Sequence, residues 1–170
     1  MPRYFAYGSN LHPLRLIERV PSASLVGVIE LTKHRLLFHK YSTDGSSKCN
    51  LVHTGCDADL IYGAIYNIDP ADKPDLDHVE GKGYLDHQLS LQHQGRAYTC
   101  FTYLAQPSYI VDHLKPYHWY KQLVVLGARY LRFPDSYIHS IASVESVKDP
   151  EENRRIENEM LIQNIINYSN

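Results

Sequence analysis

The chain has 170 residues, room for one domain around a single core but not for two of ordinary size. Hydrophobic residues make up 44% and charged residues 21%, which points away from disorder and fibrous repeats, and a formal net charge of −2 lacks the basic excess a phosphate-binding surface needs. Apolar runs such as Leu123 to Leu126 fall far short of the roughly 20 residues that span a bilayer, and the start MPRYFAYGSN has no apolar signal-peptide core, so a cytoplasmic protein without nucleic-acid or membrane partners is expected.

In chain order, Arg3 to Tyr7 is an apolar, aromatic run stopped by Gly8 and reads as a strand. Asn10 stands where a helix through Leu11, Leu14, Ile17 and Val20 needs its N-cap, and Pro21 ends that helix. Leu25 to Thr32 and His34 to Lys40 mix β-branched and aromatic residues as strands do, and Tyr41 to Ser47 is a polar loop. Ile61 to Ile68 is a further strand. His87 to His93 alternates polar and apolar residues, and after a Gln94-Gly95 turn the β pattern continues from Arg96 to Leu104. Between these strands, Asp69 to Gly83 has room for one short helix.

From Pro116 the period becomes helical: Tyr120, Leu123, Val124 and Gly127 share one face, and Tyr137, Ile138, Ile141 and Val144 another. A last helix is predicted from Asp149-Pro150-Glu151-Glu152, with Asp149 as cap, Glu152 in a capping box, and Ile156, Met160 and Ile165 as its apolar stripe. Strands come first and helices last. The expected fold is α+β, a small, mostly antiparallel β-barrel with peripheral helices over residues 1–148, with residues 149–170 as a C-terminal helix packed on it. That helix packs on its own barrel or on a partner's, which makes a homodimer the candidate assembly.

Several residues are candidates for chemistry. Gly8-Ser9-Asn10 lies in a strand-to-helix turn whose backbone N–H groups are suited to a carboxylate or a developing oxyanion, although on spacing alone a simple turn-and-cap role is the commoner one. Glu80, followed by Gly81 and with Tyr84 nearby, becomes a base if burial raises its pKa; in isolation it is indistinguishable from the loop acids Asp75, Asp77 and Asp86. Three cysteines, Cys49, Cys56 and Cys100, cannot all pair within one chain and read as free thiols. Cys49, His53 and Cys56, with His34 and His39, lack metal-ligand spacing, so no metal is expected. Ser9 lacks a nucleophile's flanking pattern, and His78 and His118 are general acid or base candidates by residue type alone. The 14 tyrosines, against one Trp and four Phe, supply rings with polar tips for a pocket or a barrel wall.

Tyr4-Phe5-Ala6-Tyr7-Gly8-Ser9-Asn10-Leu11 together with Glu80-Gly81 and Tyr84 resembles the γ-glutamylcyclotransferase family. Pro21-Ser22-Ala23, Thr102-Tyr103-Leu104, Tyr120-Lys121 and Leu126-Gly127-Ala128 extend the resemblance over roughly residues 3–145. It implies an enzyme that closes a small-molecule γ-glutamyl substrate into 5-oxoproline, without metal or cofactor. By the same resemblance Glu80 is the catalytic acid/base. Tyr7, Gly8, Ser9, Asn10 and Leu11 hold the glutamyl moiety, and Tyr84, Tyr103 and Tyr120 pack against the substrate. The alternatives carried alongside are glutathione, a γ-glutamylamine or a γ-glutamylated antibiotic precursor as substrate, and a carboxylate-binding module without catalysis.

Overall fold

The computed structural model describes residues 1–169. Their backbone forms β1 (Arg3–Ala6), α1 (Pro13–Arg19), β2 (Ser24–Thr32), β3 (His34–Tyr41), β4 (Ser47–His53), β5 (Leu60–Asn67), α2 (Lys73–Glu80), β6 (Tyr84–His93), β7 (Arg96–Ala105), α3 (His118–Tyr130), α4 (Asp135–Ala142) and α5 (Glu152–Ser169), with a 3₁₀ turn at Pro107–Tyr109.

Five strands make one mixed sheet in the order β2-β5-β1-β7-β6, and β3 and β4 form a separate antiparallel pair. β1 is central. Tyr4, Phe5 and Ala6 are all buried, as an unbroken apolar run in a middle strand should be, and β1 pairs antiparallel with β5 and parallel with β7. β6 is an edge strand, with Leu91 buried and most of its neighbours exposed, which is the alternation its sequence carries. It turns into β7 through Gln94 and Gly95, whose positive φ angles of 49° and 74° suit a two-residue hairpin loop.

The sheet is α+β in class, but the expected barrel is not closed: among the described residues no hydrogen-bonded ladder joins the outer strands β2 and β6. The edges do approach, because the His93 ring of β6 packs where Gly27 of β2 has no side chain. β4 lies partly in a stretch that reads as polar loop. Ser47, Cys49, Asn50 and Leu51 are nonetheless buried there, since pairing with β3 supplies hydrogen bonds that the local sequence does not advertise.

Two caps differ from expectation. Helix α1 begins at Pro13 and is capped by His12, whose Nδ1 accepts the Leu14 N–H at 3.2 Å. The reason is a preceding turn, closed by the Leu11 N–H on the Gly8 carbonyl at 3.1 Å, which uses two more residues before the helix begins. Asn10 is thereby released for other contacts. At α5 the capping side chain is Glu151, which accepts the N–H groups of Asn153 (3.0 Å) and Arg154 (2.7 Å), rather than Asp149. Of the expected stripe, Ile165 is fully buried, whereas Ile156 and Met160 are 43% and 63% exposed, and Ile162 is buried in their place. Only its second half reaches the core. Helix α3 is the main buried helix, and at Gly127 an added Cβ would come within 2.5 Å of Leu11 Cβ and 2.9 Å of His12 N, so α3 braces the segment that follows β1. No helix among the described residues is long and apolar enough to cross a membrane.

Asp149 has a different task. Its buried carboxylate accepts from Arg154 Nη2 (2.6 Å) and Nε (2.7 Å), Trp119 Nε1 (2.8 Å) and the Glu151 N–H (2.9 Å), which ties α3 to the start of α5. The Arg154 bonds, helped by the others, hold its pKa down at about 2. A depressed carboxylate contributes stability that is present above its ordinary value of 3.8 and is lost as pH falls toward 2. Asp149→Ala leaves those donors without an acceptor and is expected to lower the unfolding free energy by about 3 kcal/mol at neutral pH. Denaturant unfolding checks this, with the gap to wild type narrowing in acid; equal midpoints at neutral pH would contradict it.

Candidate active site

The site forms where two chain turns meet. After β1 the chain turns through Gly8, Ser9 and Asn10 before entering α1, and α2 ends at Glu80 because Gly81 takes a positive φ of 70° that a helix cannot continue. The link between them is Asn10. Its Nδ2 donates to Glu80 Oε1 at 2.7 Å and to the Tyr4 hydroxyl at 3.2 Å, while its Oδ1 accepts from Arg19 Nη1 at 2.8 Å. Only 2% of Asn10 is exposed, and both ends of its amide are engaged. Arg19 Nη1 also stands 3.8 Å from Glu80 Oε1.

Glu80 faces a narrow cleft whose floor is the Gly8–Asn10 turn. Tyr4, Tyr7, Tyr84, Tyr103, Tyr120 and Cys49 make its walls. The tyrosines are locked by hydrogen bonds: Tyr7 donates to the Tyr103 carbonyl, Tyr84 to the Cys49 carbonyl and Tyr103 to Asp77 Oδ1 at 2.5 Å, and Tyr120 accepts the Cys49 N–H at 3.1 Å. The backbone N–H groups of Gly8, Ser9 and Asn10 meet no acceptor among the described residues, which leaves three donors for a ligand.

Burial dominates the electrostatics. It raises the pKa of Glu80 above the ordinary glutamate value of 4.5, against the opposing pull of Arg19, the Asn10 hydrogen bond, Lys40 and Arg15. It also raises Tyr4, Tyr7, Tyr84, Tyr103 and Tyr120, so the phenols stay protonated and neutral. Cys49 is pushed up to about 12, again by burial, and stays a thiol rather than a nucleophilic thiolate. One proton-transfer group whose pKa is raised by burial therefore stands among neutral hydrogen-bonding rings and free backbone donors. This arrangement is equipped to move a proton beside a carbonyl that gains charge.

The sequence reading and the geometry coincide at Glu80, Tyr7, Gly8, Ser9, Asn10, Tyr84, Tyr103 and Tyr120, which all line the cleft. Leu11 is fully buried beneath the turn, its carbonyl accepting from the Tyr66 hydroxyl at 2.6 Å, and is not on the cleft wall. His78 is exposed on α2, and His118 sits at the start of α3 with Nδ1 2.8 Å from Ser146 Oγ; neither lines the cleft. Cys49 and Cys56 are separated by burial, one in the cleft wall and one exposed, and among the described residues no three His, Cys, Asp or Glu side chains are grouped as a metal would need.

Tyr4, Arg19 and Cys49 are site residues that the sequence reading missed. Tyr4 stood inside the quoted N-terminal string. Arg19 and Cys49 reach the site only through the packing of α1 and β4, and no local pattern marks them. A larger cleft of about 690 Å³ between β3, β5 and α4 is chemically poorer, since its charged residues Arg35 and Asp59 neutralise each other at 2.7 Å.

Residues 60–141 match the AIG2-like family. The mouse γ-glutamylcyclotransferase is 27% identical and the human one 28% identical, each over 152 residues that cover 84% of this chain and 78% of the relative. A solved γ-glutamyl cyclotransferase structure superposes with a TM-score of 0.78 at 25% identity, covering 96% of this chain and 98% of that one. A human crystal structure described as that of an uncharacterized protein superposes with a TM-score of 0.77 at 26% identity, covering 95% and 97%. The chain is thus similar to γ-glutamylcyclotransferases over most of its length and to the AIG2-like family over residues 60–141.

The raised pKa of Glu80 has a consequence for stability. A carboxyl whose folded pKa lies above its unfolded one binds its proton more tightly in the native state, so its ionisation destabilises the fold as pH rises above 4.5. Glu80→Gln keeps the Oε1 acceptor for Asn10 and removes that ionisation. Thermal unfolding across pH is therefore expected to show the variant gaining on wild type above the ordinary glutamate range and matching it in acid; parallel curves would contradict a carboxyl whose pKa is raised by desolvation.

Proposed function

We propose that the protein is a γ-glutamylcyclotransferase-type enzyme, converting a γ-glutamyl amino acid or amide into 5-oxoproline and the free amine. The observation that carries this reading is the Glu80 carboxyl, largely withdrawn from solvent in the cleft with 15% of its side chain exposed, and held through Oε1 by Asn10 of the turn that offers free N–H groups.

The reaction needs no protein nucleophile, because the substrate brings its own. Ionised Glu80 takes a proton from the substrate α-ammonium, and the freed amine attacks the γ-carbonyl carbon to form the lactam C–N bond. The carbonyl oxygen gains negative charge, which the Gly8, Ser9 and Asn10 N–H groups are available to meet. Glu80 then passes its proton to the leaving nitrogen, the original amide C–N bond breaks, the ring nitrogen gives its second proton to the departing amine, which leaves as an ammonium, and the carboxylate is restored. A raised pKa suits both steps, since the group must accept a proton and then give it up near neutral pH. The surrounding tyrosines, neutral and fixed by their own hydrogen bonds, favour a substrate folded back on itself, and holding that conformer lowers the barrier by several kcal/mol.

The test is to incubate wild type and Glu80→Gln with γ-glutamyl dipeptides, glutathione and γ-glutamyl-lysine and to measure 5-oxoproline. The amide cannot relay the proton, so kcat/KM is expected to fall by about 1,000-fold with folding intact. For wild type, the acid limb of kcat/KM should lie above the pH range where an ordinary glutamate titrates. A variant as fast as wild type would refute the assignment of Glu80.

A further inference from the structure

A second void of about 410 Å³ adjoins the cleft and shares Ser9, Glu80, Tyr84 and Tyr120 with it. Its own wall brings three cations together, Arg19, Lys40 and Lys48. Two of them are matched. Lys48 pairs with Asp44 at 2.6 Å, and Arg19 is held by Asn10 at 2.8 Å with Glu80 at 3.8 Å.

Lys40 is the exception. It is 4% exposed, and its Nζ donates to the Lys82 carbonyl at 2.8 Å and stands 4.4 Å from the centre of the Tyr84 ring. No carboxylate lies within 4.0 Å of it among the described residues, so two of its three N–H bonds have no protein acceptor. A buried ammonium with no carboxylate in direct contact, only Glu80 and Asp44 at longer range, is costly to keep. The backbone is irregular at the same place: β3 slips register between Phe38 and Lys40, so that Phe38 pairs with Cys49 of the cleft wall and Lys40 with Lys48 of the second void. Bulges of this kind re-aim a side chain beside a site.

We propose that Lys40 determines specificity by binding a carboxylate on the amine that leaves in the reaction. The inference rests on the proposed function in one respect, that Glu80 protonates the leaving nitrogen. Glu80 walls both voids, so a glutamyl group reacting in the tyrosine-lined cleft places its leaving nitrogen at the boundary and directs the substituent on that nitrogen toward Lys40. Lys48 and Arg19 already have partners and serve this carboxylate less well. The favoured leaving amines are therefore those carrying a carboxylate, and alkylamines without one are disfavoured.

The experiment compares γ-glutamyl-alanine with γ-glutamyl-ethylamide, whose leaving amines differ by one carboxylate, on wild type and Lys40→Met. Wild type is expected to prefer the alanine substrate by about 30-fold in kcat/KM, the worth of one charge-assisted hydrogen bond. Lys40→Met should lose most of that preference: the alanine substrate loses more than the ethylamide, whose rate changes only through the pull of Lys40 on Glu80. Equal losses on both substrates with a shifted pH profile would mean that Lys40 acts only through Glu80, and would overturn the proposal. So would a wild-type enzyme with no preference, a result that stands even if the variant fails to fold. If no substrate yields 5-oxoproline, the functional reading fails separately. Calorimetric titration of wild type with glutaryl-alanine and glutaryl-ethylamide, which lack the α-amine and cannot cyclise, then decides: tighter binding of the first supports the Lys40 site, and equal binding overturns it.

Discussion

One hydrogen bond joins the parts of the molecule on which the site depends: Asn10 Nδ2 to Glu80 Oε1, 2.7 Å long and bridging residues 70 positions apart. It fastens the turn after the central strand to the end of a short helix that otherwise lies at the surface. Without it Glu80 would be one of several acids on a polar segment, beside Asp75 and Asp77. With it, the carboxyl is held in a cleft where burial raises its pKa and Arg19, Asn10, Lys40 and Arg15 limit how far. The contact fixes the carboxyl's position, and the burial that goes with that position raises its proton affinity.

The scaffold around that bond is ordered by buried, hydrogen-bonded tyrosines rather than by ion pairs. Tyr7, Tyr84 and Tyr103 spend their hydroxyl protons on protein acceptors in neighbouring elements, so the cleft walls are stiff, apolar in body and neutral in charge. Tyr66 does the same for the floor by donating to the Leu11 carbonyl, and Gly127 lets α3 press on Leu11 and His12 from behind. Rigidity of this sort is what an intramolecular cyclisation asks of its container, because the gain comes from restricting a flexible substrate.

Much of this was legible in the chain and some was not, for identifiable reasons. Strand and helix positions follow from period and turn chemistry wherever one face is buried, as in β1, β5, β7 and α3. β4 escaped because Ser47-Lys48-Cys49-Asn50 is polar in composition yet buried by its partners, and burial is a tertiary fact. Barrel closure depends on whether the two outer strands share hydrogen bonds, which no residue type encodes; here His93 fills the gap at Gly27 without a ladder forming. Asn10 reads as a helix cap because Asn caps helices well, but the extra turn at Gly8 moves that duty to His12 and frees the amide for Glu80. Glu80 itself was singled out by its likeness to a family motif, and physics alone could not separate it from its acidic neighbours before the fold placed it. Arg19 and Lys40 bear no local signature, since one arrives on a helix and the other through a strand bulge.

The account stands on the state of one carboxyl group, so the most direct measurement is a carbon-13 NMR titration of the Glu80 side chain in the intact protein. The account predicts a midpoint above the ordinary glutamate range that moves higher still in Asn10→Ala, where the hydrogen bond favouring the charged form is gone. A midpoint at the free-glutamate value, unmoved by the loss of Asn10, would contradict it.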